Sequence, residues 1–219
     1  MKIAIIGTGN IGGTLTRRLT RLGHAVSIAN SRGPASLQHL AAETGAVPRT
    51  VQEVVHGAEI IVVTIPEKNI LHLPAGLLDD VPEDTVVIDT GNYYPKQRDG
   101  KIAEIEGGLP ESRWVERQLG RPVVKVFNNI YAKHLLEGGL PAGTPGRIAL
   151  PVAGDSAAAK GKVMRLVEEL GFDAVDAGGL DESWRQQPGT PAYTSDHDAE
   201  GLREALKAAH PERTAAWRA

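Results

Sequence analysis

The 219-residue chain has no cysteine, which excludes disulfides, thiolate metal sites and cysteine nucleophiles. It has no excess of positive charge either. With 24 Lys and Arg against 27 Asp and Glu the net charge is −3, and no basic run occurs, so a nucleic-acid partner is not expected. No apolar stretch approaches the ~20 residues that cross a membrane. The apolar run after Lys2 reads as a strand and not as a secretory leader. Aromatic residues make up only 4% of the chain. Missing too is any His, Lys or Glu standing beside an evident partner as a general acid or base. These absences leave a cytoplasmic enzyme or binding protein that handles a small molecule, with no membrane contact and no metal.

What is present begins at the first residues. Lys2-Ile3-Ala4-Ile5-Ile6-Gly7-Thr8-Gly9-Asn10-Ile11-Gly12 is an apolar run entering a GxGxxG turn. A short continuous apolar run is the pattern of a strand buried on both faces of a parallel sheet. Gly7 permits the tight turn, Gly9 lets a pyrophosphate approach the backbone, and Gly12 lets the next helix lie close to the strand. The helix N-terminus would then receive the phosphates. Ile11, Leu15, Leu19 and Leu22 mark one face of that helix and Gly23 its end. Ala25 to Ala29 reads as the second strand.

Strand and helix signals continue to alternate, the pattern of a doubly wound α/β fold with a mostly parallel, Rossmann-type sheet. Pro34 opens a helix that Gly45 ends, and a short strand lies near Ala46-Val47. Thr50 and Glu53 fit a capping box. Ile60 to Ile65, Val86 to Ile88 and Pro122 to Phe127 read as buried strands, with a helix around Ser112 to Leu119. Arg147 to Val152 and Phe172 to Asp176 flank one more helix, a unit expected to extend the same sheet. The expected organisation is a nucleotide-binding domain over residues 1–180 and a C-terminal segment over 181–219. That segment is a linker and one helix, Ala199 to Ala209, docking at the cleft or at a dimer interface.

An Asp or Glu near the end of the second strand marks a site for the unphosphorylated ribose of NAD. Here the chain has Asn30-Ser31-Arg32. A serine hydroxyl and a guanidinium suit a 2′-phosphate, which a carboxylate would repel. NADP is therefore the expected cofactor.

Ligands of open α/β sheets bind outside the carboxyl ends of the strands. Thr64-Ile65-Pro66-Glu67-Lys68-Asn69, Asp89 to Pro95, Asn128-Asn129-Ile130 and Asp176 to Gly179 fall there. Amides and prolines dominate these segments. They suit hydride exchange between bound rings, which needs positioning more than acid–base chemistry. Each residue also has a structural reading, because prolines and glycines make turns and side-chain amides satisfy loop backbone. His134, in a short helix near Asn129, is the one proton-donor candidate. Asp196, His197 and Asp198 are adjacent and read as a helix cap, not as a metal site.

Together GTGNIGG, the Asn30-Ser31-Arg32 segment, the Thr64-Ile65-Pro66 strand end, VVKVFNNI from Val123 to Ile130 and Asp176-Ala177-Gly178 resemble the coenzyme F-420-dependent NADP oxidoreductase family. The resemblance covers residues 1 to about 185. It implies a dimeric Rossmann protein in which NADPH and an 8-hydroxy-5-deazaflavin, coenzyme F-420, stack in a cleft and exchange hydride. It implies that Thr8, Asn10 and Ile11 line the dinucleotide, that Ser31 and Arg32 hold its 2′-phosphate, and that Thr64, Pro66 and Asn69 flank the nicotinamide half. The Asn128-Asn129-Ile130 region would face the second ring. The full cofactor-binding set expected is Gly7, Thr8, Gly9, Asn10, Ile11, Gly12, Asn30, Ser31, Arg32, Thr64, Ile65, Pro66, Asn69, Asn92 and Asn128, with Asn129 and His134 as candidates beside the reacting rings. The stretch DTGNYYP from Asp89 to Pro95 and the Gln186 to Tyr193 tail depart from the family's usual pattern. They leave two alternatives: reduction of a flavin, imine or other small substrate, or an NADP-sensing module without catalysis.

Overall fold

A computed structural model describes residues 1–213 of the chain; residues 214–219, the end of the expected C-terminal segment, lie outside the described part. Strand β1 (Lys2–Ile6) is buried from Ile3 onward and lies between two other strands of the sheet. The turn through Gly7 leads into α1 (Asn10–Arg21), which closes at Gly23 in the left-handed conformation, φ 84°. Strand β2 (Ala25–Ala29) follows. The segment opened by Pro34 is a 3-10 turn, Pro34–Leu37, running into α2 (Gln38–Thr44). Strand β3 is Val47–Pro48, and α3 (Val51–Val54) carries the expected capping box between Thr50 and Glu53. Beyond β4 (Ile60–Val63) come the short α4 (Glu67–Ile70), β5 (Val86–Asp89), a π-type turn at Pro95–Asp99, α5 (Ala103–Glu106) and α6 (Glu111–Leu119). The third stretch of the main sheet to end at the cleft is β6 (Val123–Lys125), followed by α7 (Ala132–Glu137).

The six strands are all parallel in the order β3-β2-β1-β4-β5-β6, so chain direction across the sheet reverses between β1 and β4. Alternate residues face opposite layers. Ile3, Ile5, Ile60, Val62 and Ile88 point with Leu15 and Leu19 into one core, and Ala4, Ile6, Ile61, Val63 and Val87 point with Trp114 and Val115 into the other. Each fully buried Ile, Val or Leu contributes about 1.5–3 kcal/mol of transfer free energy. The two-sided burial is why these strands are continuous apolar runs and do not alternate.

The unit after Gly146 does not extend the main sheet, contrary to its sequence pattern. Strands β7 (Ala149–Val152) and β8 (Asp173–Asp176), joined by α8 (Ala157–Glu169), form a separate two-stranded parallel sheet. It meets β6 at a single antiparallel bridge, with the Lys125 and Ala153 backbones exchanging hydrogen bonds of 2.8 and 3.1 Å. The chain arrives there against the direction of β6, so it cannot continue the parallel ladder. It then passes so near β6 that a Cβ on Gly154 would lie 3.2 Å from Val124 Cγ2. Arg147, at the start of the strand read from sequence, is instead a buried clamp. Its guanidinium donates to the Leu140 and Gly171 carbonyls and to Glu168 and Asp173. Asp173 opens β8 while Leu140, Glu168 and Gly171 lie outside the strands, and β7 begins two residues later.

The C-terminal segment crosses back through a 3-10 stretch, Leu180–Gln186, and an irregular run to α9 (Ala199–Lys207). Leu202, Ala205 and Leu206 of α9 are buried with Ala149 and Val175 of the small sheet. The helix therefore docks on its own chain, and Asp198 caps it by accepting the Gly201 N–H at 2.9 Å. Among the described residues no helix is long and apolar enough to cross a membrane.

Candidate nucleotide and acceptor site

The carboxyl edge of the main sheet falls into two halves around the switch point between β1 and β4. On the first half, Gly7 adopts φ 102°, and a Cβ there would overlap the Thr64 carbonyl. A Cβ on Gly12 would overlap the Gly7 carbonyl and lie 2.7 Å from Thr64 Cγ2. Both glycines are demanded by close approach of the protein to itself. Gly9 is different: a Cβ there would meet nothing within 4 Å. It is the N-cap of α1, with no side-chain cap and no acidic residue in the first turn. The α1 N–H groups therefore face open space at the positive end of the helix dipole, the arrangement that receives phosphate.

At the end of β2, Asn30 works as a turn residue. Its Oδ1 accepts the Arg32 N–H at 2.9 Å, and its amide reaches Ser36 Oγ at 3.0 Å and Thr8 Oγ1 at 3.5 Å. A side-chain oxygen closing onto the backbone two residues on is an Asx turn, which Asn favours. It ties the Ser31–Arg32 loop to the glycine turn. Ser31 and Arg32 are both exposed, and no carboxylate is paired with the Arg32 guanidinium among the described residues. Thr8, Gly9, Asn10, Arg32, Ser36 and Lys133 line a groove of about 540 Å³ between the glycine turn, the β2 loop and α7. Arg17 also borders it, but its charge is engaged by Glu43 at 2.6 Å. Lys133 was not legible from sequence. It arrives because α7 packs against α1.

On the second half, Thr64, Ile65 and Pro66 are half-buried at the end of β4, and Asn69 sits in α4 immediately beyond. Asn92 and Asn128 pair with each other, Asn128 Nδ2 donating to Asn92 Oδ1 at 3.0 Å and Asn92 Nδ2 to the Asn128 carbonyl at 2.9 Å. The C-terminal segment then closes on the same amides. Asn128 Nδ2 donates to the Gln186 carbonyl at 2.7 Å, and Gln186 Nε2 donates to Asn128 Oδ1 at 2.9 Å. Asn129 donates from Nδ2 to the Ala192 carbonyl at 3.3 Å, and its own carbonyl accepts the Thr194 N–H at 2.7 Å. His134 makes an ion-pair contact through Nδ1 with Asp196. The contact is not aligned as a hydrogen bond. Asn128, Asn129 and His134 thus each meet the C-terminal segment. Tyr94, beyond Asn92, hydrogen-bonds through its hydroxyl to Tyr193 of that segment.

Beneath this half lies a buried ionic cluster. Asp89, at the end of β5, accepts from Lys125 Nζ at 3.0 Å, Ser112 Oγ at 2.7 Å and the Gly91 N–H at 2.8 Å. Lys125 also donates to the Gly91 carbonyl at 2.6 Å. Burial opposes its charge, and Asp89, Glu111 and Glu67 around it hold its pKa above the ordinary lysine value. Glu111 accepts from the Tyr93 N–H at 3.1 Å and from Arg213 at 2.7 Å. Glu67 is fully buried with neither carboxyl oxygen hydrogen-bonded. Burial first, and then the charge of Asp89, push its carboxyl well above the usual carboxylate range. A Cβ on Gly91 would overlap Glu67 Oε1 and lie 3.0 Å from Asp89 Oδ1. The cluster therefore fixes the Gly91 loop from below. A sequence signal existed for it: Lys125 and Asp89 interrupt otherwise apolar strand runs.

Residues 2–93 match the family model described as "NADP oxidoreductase coenzyme F420-dependent". The structure is similar to that of a hypothetical protein from Sinorhizobium meliloti, with a TM-score of 0.73 and 29% identity over 88% of this chain and 93% of that one. It is also similar to a protein from Arthrobacter sp. FB24 provisionally described as an F420-dependent NADP reductase, with a TM-score of 0.64 and 25% identity over 82% of this chain and 86% of that one. A 60-residue stretch is 53% identical to the Escherichia coli (strain K12) protein YjhV, covering 27% of this chain and 44% of that protein. Mycobacterium tuberculosis 3-hydroxyisobutyrate dehydrogenase, at 18% identity and a TM-score of 0.60 over 82% of this chain and 55% of that one, shows the fold alone. The match over 2–93 ends just past Asn92, so it takes in β1 to β5 and the whole glycine-turn half of the site. Over that segment the chain is similar to the family described as coenzyme F420-dependent NADP oxidoreductases.

Proposed function

We propose that this protein binds NADPH at the α1 N-terminus and passes hydride between it and a planar ring acceptor, with a deazaflavin such as coenzyme F-420 as the first candidate. The observation that carries the cofactor half is the pairing of Gly9 with Arg32. One position needs no side chain for the protein's own sake, and the other presents a guanidinium in an Asx-ordered loop where an NAD site would place an acid. In this reading the α1 N–H groups hold the pyrophosphate and Arg32 and Ser31 hold the 2′-phosphate. NADPH supplies the hydride when bound. The half of the edge over β4 to β6 then receives the nicotinamide end, since the dinucleotide runs away from β2 across the switch point. Thr64, Pro66 and Asn69 would border that end.

Arg32→Ala is expected to weaken NADPH binding at least tenfold, about 1.4 kcal/mol, and to leave NADH binding within twofold, both read by cofactor fluorescence. An equal loss for the two cofactors would overturn the assignment. The acceptor is tested by mixing protein and NADPH with coenzyme F-420, with FMN and with a cyclic imine, and following oxidation of NADPH. A second reading is favoured by the C-terminal segment: because it engages Asn128 and Asn129, the protein would be a sensor of NADP(H) without turnover. Tight NADPH binding with no acceptor reduced supports that reading.

A further inference from the structure

The chain has four tyrosines in 219 residues, and all of them lie at or under one half of one sheet edge. Tyr93 is fully buried in the core below the Gly91 loop. The other three arrive from separate segments: Tyr94 after β5, Tyr131 after β6 and Tyr193 from the C-terminal run. Tyr94 and Tyr193 are joined through their hydroxyls, and Arg98 lies over the Tyr94 ring at 5.0 Å. The Tyr131 ring meets that of His134 edge-on at 5.5 Å between centroids, and His134 in turn contacts Asp196, three residues on from Tyr193. Tyr131 is 54% exposed, unusual for a large aromatic ring, and Tyr94 and Tyr193 are part-exposed.

The backbone that delivers Tyr193 is held in a costly form. Thr194 and Asp196 are non-glycine residues in the left-handed region, φ 53° and 44°. Such conformations persist only where the surroundings determine them, and they concentrate at ligand sites. Here the determinants are the Thr194 N–H bond to the Asn129 carbonyl and the Asp196 contact with His134. The strained turn therefore fixes the ring of Tyr193 beside the ends of β5 and β6. Part-exposed phenol rings are side chains that pack on planar conjugated rings.

We propose that the C-terminal segment supplies Tyr193 to the acceptor side of the site, where Tyr193 and Tyr131 contact the ring system of a planar conjugated acceptor and Tyr94 acts as a positioning residue for Tyr193. The inference rests on the reading of this edge as the acceptor side, and it makes the segment part of the site instead of a plug. The test is equilibrium binding of coenzyme F-420 and of FMN to the NADP⁺-loaded full chain, followed by fluorescence. Tyr193→Ala is expected to weaken binding of whichever ring the wild type takes at least tenfold, and Tyr193→Phe, which keeps the ring, no more than threefold. NADP⁺ affinity should stay within twofold in both. Tyr131→Ala, at a position 54% exposed, is expected to weaken ring binding at least threefold, and it decides the matter if Tyr193→Ala fails to bind NADP⁺. Unchanged ring affinity in variants that still bind NADP⁺, or a wild type that binds neither ring, would overturn the proposal. Ring binding without hydride transfer would instead overturn the oxidoreductase reading and leave this one standing.

Discussion

The two halves of the carboxyl edge are built on opposite plans. Over β1 and β2 the backbone donors at α1 face open space and the Arg32 charge has no protein partner among the described residues. Over β5 and β6 the side-chain amides are engaged with one another and with the C-terminal segment, above a buried ionic cluster. The first half leaves its donors open to a ligand. The second half is shaped by the protein's own tail, so its specificity belongs to residues far away in sequence. The difference teaches that an open half and a tail-covered half can share one sheet edge, since the strands fix only the positions from which loops depart.

The sharpest way to break this comparison lies inside the glycine turn. Gly12→Ala forces a Cβ into the Gly7 backbone and is expected to lower stability by about 3 kcal/mol and the Tm by about 10 °C. Gly9→Ala meets no protein atom. It should leave the Tm within about 2 °C while weakening NADPH binding about tenfold, so thermal melts with and without NADPH separate packing glycine from ligand glycine. If both glycines behave alike, the open half is not a receptor.

Next in size is Asn128→Ala, which strands the Gln186 and Asn92 groups that its amide pairs. A loss of about 2 kcal/mol is expected, with faster proteolysis between residues 187 and 197. A tail that stays protected would mean that the strained turn holds it without Asn128.

The smallest effect concerns Glu67. A carboxyl whose folded pKa is raised costs nothing while both states are protonated. The folded state therefore loses stability as pH rises above the ordinary glutamate value, about 4.3, and the loss is complete once pH passes the raised folded value. Between pH 4 and pH 8, Glu67→Gln should lose less stability than the wild type, measured as denaturant midpoints. Parallel pH profiles would show that Glu67 is ionised in the fold and that the cluster carries one more negative charge.

The elements that position the first half were legible because each rests on local chemistry. An apolar strand run, a glycine spacing and an Asn-Ser-Arg turn declare themselves within a dozen residues. The capping box at Thr50 and the Asp198 cap were legible for the same reason. The strand starting at Arg147 was not, because Arg147 finds its partners at Leu140, Glu168, Gly171 and Asp173, a set that only the folded chain assembles. Nor could the sequence pattern distinguish a strand extending the main sheet from one that touches β6 at a single antiparallel bridge.

By itself, then, the sequence determined the parallel sheet, the glycine turn and the absence of an acid at the end of β2, because those depend on neighbours along the chain. Tertiary structure alone decided that Asn128, Asn129 and His134 meet the C-terminal segment, that Glu67 is buried near Asp89 and Lys125, and that Tyr94 and Tyr193 meet. Those contacts join residues up to about a hundred positions apart, and no local pattern records a pairing whose energy appears only when the loops of β5 and β6 and the tail are already in place.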